Sequence, residues 1–468
     1  MEDTEQTFFF YDLETSGLDP KNDRIMQFAG IRTDLDFHQI GDPVNILVKL
    51  ADDTLPSPKA IKVTGITPQS TQLDGFTEPE FCKYVQEEIF TPGTIAVGYN
   101  SIRFDDEHMR YTFYRNFYDP YEWEWKNDRS RWDLLDVVRM VRALRPEGIS
   151  WPVNEDGKPN NRLENLTKFN NLPHEHAHDA LSDVEALISV TKMISERQPK
   201  LYNYLFSMRN KKAVARQLMM GSNTPIVYTS GRYSSKFTHT TVALPFCVLK
   251  NGNVLVFDLR YNLDDLLEKE KNFVPDDKHK TFSFYPIVKE LGLNKCPCIA
   301  PIGVLDAASE EDGRTGWDKI ELSREEMEKN KEAFLKNSKE FRARMLDLFE
   351  EKKDSYKKSE DVDAQLYEGF IPDGDKLKMK DVRWRNANEL ADYHPMFEDP
   401  RLSELLLHYK GRNFPNSLDE NEQKKWEKYR VERLQSQEKS FVSDLEEIKD
   451  EIDPGILEDL LLWYQSLA

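Results

Sequence analysis

Apolar positions along this chain fall into runs of two kinds. Unbroken apolar or aromatic runs bounded by Gly, Pro and Asp predict buried strands over 8–15, 25–31, 44–50 and 94–99. The first three follow one another through short links, which predicts an antiparallel start. Elsewhere apolar residues return every three or four positions, predicting helices over 79–90, 107–117, 133–144 and 163–169. Strand then alternates with helix, so this first stretch reads as α/β. A further helix opens near Ala180 with Ala180, Leu181, Val184, Leu187 and Ile188 inward, and Asp183 falls on that stripe.

Gln198-Pro199 breaks the pattern. Beyond it, apolar runs at 242–249 and 254–257 flank Asn251-Gly252, a hairpin turn, and predict a small β-rich unit closed by helix over 323–350. A charged linker, 351–361, leads to a stretch that is helical in pattern to the end, including 402–409, 420–450 and 457–467. The boundaries expected are 1–197, 198–350 and 356–468, and 468 residues suit about three domains. Cys82, Cys247, Cys296 and Cys298 make no disulfide framework, and Cys296-Pro-Cys298 lacks the second pair of a zinc site, so all four read as reduced core residues. The acidic, polar start has no signal-peptide character and no apolar run reaches membrane length, so a cytoplasmic protein without a membrane partner is expected; a monomer is expected as well. A net charge of −20 argues against a broadly basic nucleic-acid surface but leaves room for a basic groove on an acidic body.

The strand at 8–15 carries Asp12 and Glu14 at its end. Side chains alternate along a strand, so both face the same way, roughly 7 Å apart. A divalent cation would relieve their repulsion; a strand end running into solvent is the plainer alternative. Asp105 and Asp106 sit where a strand gives way to a helix, a usual ligand position in open α/β sheets, and one of them can cap the helix while the other binds metal. Asp183 on a buried stripe needs a partner. His178 reads as a loop residue just before that helix, Asp179 as its N-cap, and His174 and His176 as exposed loop histidines, a zinc cluster being the alternative.

Taken together, Asp12-Leu13-Glu14, Asn100 to Asp105, and His178 with Asp183 five residues on resemble the DEDD superfamily of 3′→5′ exonucleases in its histidine version. The whole chain is similar to the bacterial exonuclease I family. The matches include 116–120, 130–136, 144–148, 294–297, 362–367 and 412–415. The strand motif, Tyr11-Asp12-Leu13-Glu14-Thr15-Ser16-Gly17, departs toward the general superfamily form and puts base stacking beside the metal in doubt.

The resemblance implies a ribonuclease H-like nuclease domain, an SH3-like β domain and a helical C-terminal domain. It implies hydrolysis of single-stranded DNA from the 3′ end to nucleoside 5′-monophosphates, in the service of repair and recombination. Two Mg²⁺ ions about 4 Å apart, or Mn²⁺ in their place, would be held by Asp12, Glu14, Asp105 and Asp183, with Asp12 bridging and His178 as general base. Glu14 and Arg162 would meet substrate, Arg162 being equally readable as a solvated charge. Single-stranded DNA-binding protein would dock its acidic tail on Arg145 and Arg342, each otherwise an ordinary surface ion pair. A catalytically dead binding protein and a proofreading or RNA-trimming nuclease are the rivals. The first is disfavoured because all five catalytic residues are present, the second by the two appended domains. Those domains are expected to wall a groove with Arg209, Lys211, Lys212, Arg216 and aromatic rings, and a chain cut near Ser359 to keep slow, distributive cleavage.

Overall fold

The aromatic run after Gln6 forms strand β1 (Thr7–Thr15), whose two faces differ in kind. Phe9, Tyr11 and Leu13 point into a core shared with Phe28, Phe81, Val85, Phe90, Ala96 and Met109. Phe8 and Phe10 begin the opposite face, against Phe37, and Asp12 and Glu14 continue it. The structure, a computed structural model, describes residues 5–174, 179–274, 281–309, 312–354 and 358–467, and of 352–354 the backbone alone.

The chain divides into two compact units, one of Met1–Ser130, His174–Leu187 and Lys358–Ala468, the other of Arg131–Pro173 and Ile188–Lys357. In the first, β1 pairs antiparallel with β2 (Ile25–Thr33), which pairs antiparallel with β3 (Val44–Leu47), as the short links predicted. On its other side β1 runs parallel to β4 (Thr94–Gly98). Gly30 faces Tyr11 across the ladder, and a Cβ there would lie 2.3 Å from the Phe9 ring, so only glycine lets that ring settle. The helix expected over 79–90 is Glu78–Tyr84 followed by a π-helical turn, Val85–Ile89. The wider turn lets Val85, Ile89 and Phe90 all enter the core.

Residues 358–467 are part of this same unit. Tyr111, Tyr114 and Phe117 of the N-terminal portion share a core with Leu366, Met379, Leu402 and Tyr409. Met26, Leu50, Leu55 and Ile61 share another with Phe441, Leu460 and Trp463. Between these cores lies a buried ionic network. Arg412 reaches Asp53 and Asp363, each at 2.7 Å, Arg24 reaches Asp363 at 3.4 Å, and Arg433 reaches Asp53 at 3.4 Å and Asp361 at 3.2 Å. The Asp363 and Asp53 side chains are fully buried. The helical C-terminal segment is therefore not a detachable appendage. That corrects the expectation for a chain cut near Ser359, since the cut would strip both cores and strand buried charges.

A short strand, β5 (Ser130–Asp133), spans the passage of the chain from the first unit to the second. The second unit holds the helix Leu135–Leu144, with Val137, Val138, Val141 and Leu144 buried as its stripe predicted. It also holds an antiparallel sheet of β6 (Ile226–Thr229), β7 (Thr240–Val248), β8 (Val254–Asp258), β9 (Val288–Leu291) and β10 (Cys298–Pro301), in the order β10-β6-β7-β8-β9. Asn251-Gly252 lies in the β7–β8 hairpin, with Gly252 at φ +81°. A bulge between Pro245 and Cys247 absorbs the proline, which has no N–H for the ladder. Cys247 there is half-exposed, unlike the other three cysteines. The long helix Arg324–Asp354 packs Phe334 and Phe341 on Phe246 and Phe257 and runs on into the stretch expected to be linker.

Asp363→Asn leaves Arg412 and Arg24 short of a buried counter-charge. It is expected to lower stability by about 3 to 5 kcal/mol in chemical denaturation of the full chain. A chain of residues 1–358 should lose the melting transition of the first unit while keeping that of the second, and a first unit that still melts sharply with native near-ultraviolet dichroism would contradict this packing.

Candidate active site

Two strand ends and two helix starts meet around Asp12. Because β1 and β4 are parallel, with Phe10 level with Val97, the chain leaving β4 emerges beside Asp12. It turns tightly there. Gly98 approaches Ser101 so closely that a Cβ would lie 2.5 Å away, and Asn100 takes φ +65°. After a single 3₁₀ turn, Ser101–Arg103, the helix Asp105–Arg115 begins, with Asp105 and Asp106 both buried in its first turn. The Tyr11 hydroxyl donates to Asp106 Oδ1 at 2.5 Å and ties that helix start to β1. Of the two acids, Asp106 is thus the structural one, and it is held by a tyrosine rather than spent as a cap.

The third element is the helix Ala180–Arg197. Asp179 caps it, accepting from the Ser182 N–H at 3.0 Å as expected. Asp183, one turn in, lies with Asp12 and Glu14 so that one carboxylate oxygen from each falls within 4.8 Å of the others. Burial pushes the Asp12 carboxyl well above the usual carboxylate range, reinforced by the charges of Asp105, Glu14 and Asp183. Burial likewise pushes Glu14 up to about 8, with Asp183, Asp105 and Asp179 adding to it. The Asp12 carboxyl therefore does not titrate independently of its neighbours.

That electrostatic signature separates this cluster from the other carboxylate and imidazole group in the unit, Asp361, Asp363 and His408. Burial also works against ionisation of Asp363, but Arg412, His408 and Arg24 overcome it and hold the carboxyl well below its ordinary range. One cluster is neutralised by guanidinium groups; in the other, burial and crowding raise Asp12 and Glu14 instead. An all-oxygen set of crowded carboxylates fits a hard divalent ion such as Mg²⁺ or Mn²⁺.

His174 corrects the sequence reading. Its side chain is buried, not exposed, and its Nε2 lies 2.7 Å from Asp183 Oδ1. Nine residues separate the two positions, and no single helical or strand period links them. His178 and His176 lie outside the described residues. Arg162, Arg145 and Arg342 all belong to the second unit. The exposed Arg162 guanidinium pairs with Glu164 at 3.8 Å. Arg145 bonds the carbonyls of Leu144 and Val304, and Arg342 bonds the Phe246 carbonyl and Asn223. Arg209 lies flat on Phe206, its guanidinium carbon 3.7 Å from the ring centroid, while Lys211, Lys212 and Arg216 are exposed.

The chain matches three family models: Exonuclease over 9–191, Exonuclease I SH3-like domain over 209–351 and Exonuclease I C-terminal domain over 360–467. It is 41% identical over 452 residues to an exodeoxyribonuclease I of Haemophilus influenzae, covering 94% of this chain and 93% of that one. It is also similar to the crystal structure of E. coli exonuclease I in complex with a dA16 oligonucleotide. The TM-score is 0.90 at 36% identity, over 99% of this chain and 100% of that one. A structure described as SSB/exonuclease I with the inhibitor CFAM matches with a TM-score of 0.88 at 36% identity, over 99% and 100% of the two chains. No helix among the described residues is long and apolar enough to cross a membrane.

The raised acids make a stability prediction whose sign is definite. Glu14 keeps its proton to about pH 8 in the metal-free fold, whereas the unfolded chain releases it near 4.5. The folded state therefore binds more protons between these values, and the stability this gives is present below 4.5 and lost as pH rises through 8. Melting curves of chelated protein should fall across that window, and added Mg²⁺ should raise the melting temperature more at pH 8 than at pH 6. An equal Mg²⁺ effect at both would contradict the assignment.

Proposed function

The chain belongs to the exonuclease I family and is an exodeoxyribonuclease, and we propose that it removes nucleotides from the 3′ end of single-stranded DNA as nucleoside 5′-monophosphates. The observation that carries this reading is the crowded cluster of Asp12, Glu14 and Asp183, with Asp105 adding its charge. Phosphodiester hydrolysis must stabilise a strongly anionic transition state and a poor leaving group. When bound by these four acids, two Mg²⁺ ions, or Mn²⁺, supply Lewis acidity and a water of lowered pKa.

The residues of the chain do the rest. Asp12, which feels the charges of Glu14, Asp105 and Asp183 together, would be the ligand central to the metal site. Glu14 also meets the terminal nucleotide. His178 takes the proton of the attacking water, histidine being the side chain whose ordinary pKa suits that transfer near neutrality. His174 holds the Asp183 carboxylate in place through its hydrogen bond, a positioning role.

The three family spans support a division into 1–197, 198–350 and 356–468, with the last packed into the same unit as the nuclease strands. Arg162 is assigned to a backbone phosphate. The acidic tail of single-stranded DNA-binding protein is assigned to Arg145 and Arg342. Neither has a carboxylate partner among the described residues, and a related exonuclease I is known in a structure with SSB. The family supports work in DNA repair and recombination, by a cytoplasmic monomer.

Asp12→Ala should abolish release of nucleotides from end-labelled single-stranded DNA while leaving strand binding largely intact. Appreciable cleavage by the purified variant would remove Asp12 from the metal site. His178→Ala should lower turnover by about 10² to 10⁴ without loss of metal binding and should flatten the acidic limb of the pH–rate profile. If the limb survives, the base lies elsewhere.

A further inference from the structure

The helix Asp105–Arg115 starts at the acid cluster and ends beside a second concavity of the same unit. Nine residues separate Asp105 from Tyr114, on the order of 14 Å along the helix axis. The concavity is about 260 Å³, mostly apolar, and walled by Tyr114, Tyr121, Tyr367 and Met379, with Phe370 at its rim. Phe370 is 98% exposed, the most exposed large hydrophobic side chain among the described residues. Two of the rings are fixed in place. Tyr367 donates its hydroxyl to Glu107 at 2.6 Å, and Arg110 lies 5.5 Å from the Tyr121 ring centroid.

Two further features point to what the pocket takes. Tyr114 lines the pocket, and its buried hydroxyl has no hydrogen-bond partner among the described residues, which is costly for a phenol unless something else accepts from it. Along one wall run Lys376, Lys380 and Arg383, spaced four and three residues apart and hence on one face of the helix Asp373–Trp384. Lys380 and Arg383 have no ion pair among the described residues, and Lys376 pairs only with exposed Asp373, at 3.0 Å. The acids on the opposite wall are already engaged. Asp119 accepts from the Tyr121 and Glu122 N–H groups, and Glu122 pairs with Lys126.

We propose that this pocket receives a nucleobase of the single strand, a few nucleotides upstream of the cleaved 3′ end. The base would lie among the tyrosines and accept from Tyr114, and its flanking phosphates would lie along Lys376, Lys380 and Arg383. The proposal rests on the nuclease reading above. Aromatic rings beside a row of cations are what a sequence-tolerant single-strand site needs, because every base has a π-face and every residue of the strand a phosphate. Such a row of cations, two of them without an ion pair among the described residues, on a chain of net charge −20 favours the polyanion. It would hold the strand between cuts at a place remote from the reacting bond.

The test uses the full chain with chelator and fluorescent oligothymidylates of three and twelve nucleotides, the shorter being unable to reach the pocket. Lys380→Glu and Tyr114→Phe should each weaken binding of the 12-mer, the first by about tenfold with a salt slope smaller by roughly one. Neither should alter binding of the trimer or, with Mg²⁺, its cleavage. Unchanged 12-mer affinity in both variants overturns the proposal. So does the finding that the variants lose only an acidic peptide ending in phenylalanine, which would make the pocket a peptide site. Failure of the wild-type chain to cleave the trimer would instead count against the nuclease reading.

Discussion

Carboxylates drawn together out of water repel one another, and here burial and that repulsion together lift Asp12 and Glu14 well above the ordinary carboxylate range. Asp12 and Glu14 come from one strand, Asp183 from a helix and Asp105 from the start of another, so the fold must press four negative groups into one place. Burial raises Asp12 and Glu14 further than their mutual charge does. The unliganded site is thus strained electrostatically, and a divalent cation is what removes the strain. Other local features follow from keeping the acids there. The parallel pairing of β1 and β4 delivers Asp105, the Tyr11 to Asp106 bond pins its helix, and Asp179 caps the helix that carries Asp183.

A fold that stores repulsion at one site needs cohesion elsewhere, and the C-terminal segment provides it. Its helices complete two hydrophobic cores begun by the nuclease strands and helices, and its arginines neutralise acids of the nuclease portion. Buried ion pairs of this kind add modest net stability over an apolar core, yet breaking one is expensive. They specify which surfaces meet. The consequence is that 358–467 serves as part of the nuclease scaffold, with its outer helix Asp373–Trp384 free to present cations and aromatic rings.

Much of this was legible in the sequence because it depends on short-range periodicity. The alternation at Phe8 to Thr15 gave the face that Asp12 and Glu14 share, the stripe through Ala180 and Leu187 gave the inward aim of Asp183, and Asn251-Gly252 gave a hairpin. What sequence could not give depends on chain segments far apart. His174 meets Asp183 from outside the helix that carries it, and the Tyr11 bond to Asp106 spans 95 positions. The pairing of Arg412 with Asp53 spans 359 and made a segment that looked separable integral to the core. The Tyr114 pocket was likewise invisible, since its walls join residues 114–122 to 366–383.

The claim on which the account turns is that the acid cluster is a site for divalent cations whose binding expels protons. Calorimetric titration of the full chain with Mn²⁺, in buffers of differing ionisation heat, measures stoichiometry and proton release together. The account predicts two ions per chain, proton release at pH 7 that declines as the pH passes 8, and loss of at least one ion with Asp12→Asn. Binding without proton release at pH 7, or unchanged binding in that variant, would contradict it.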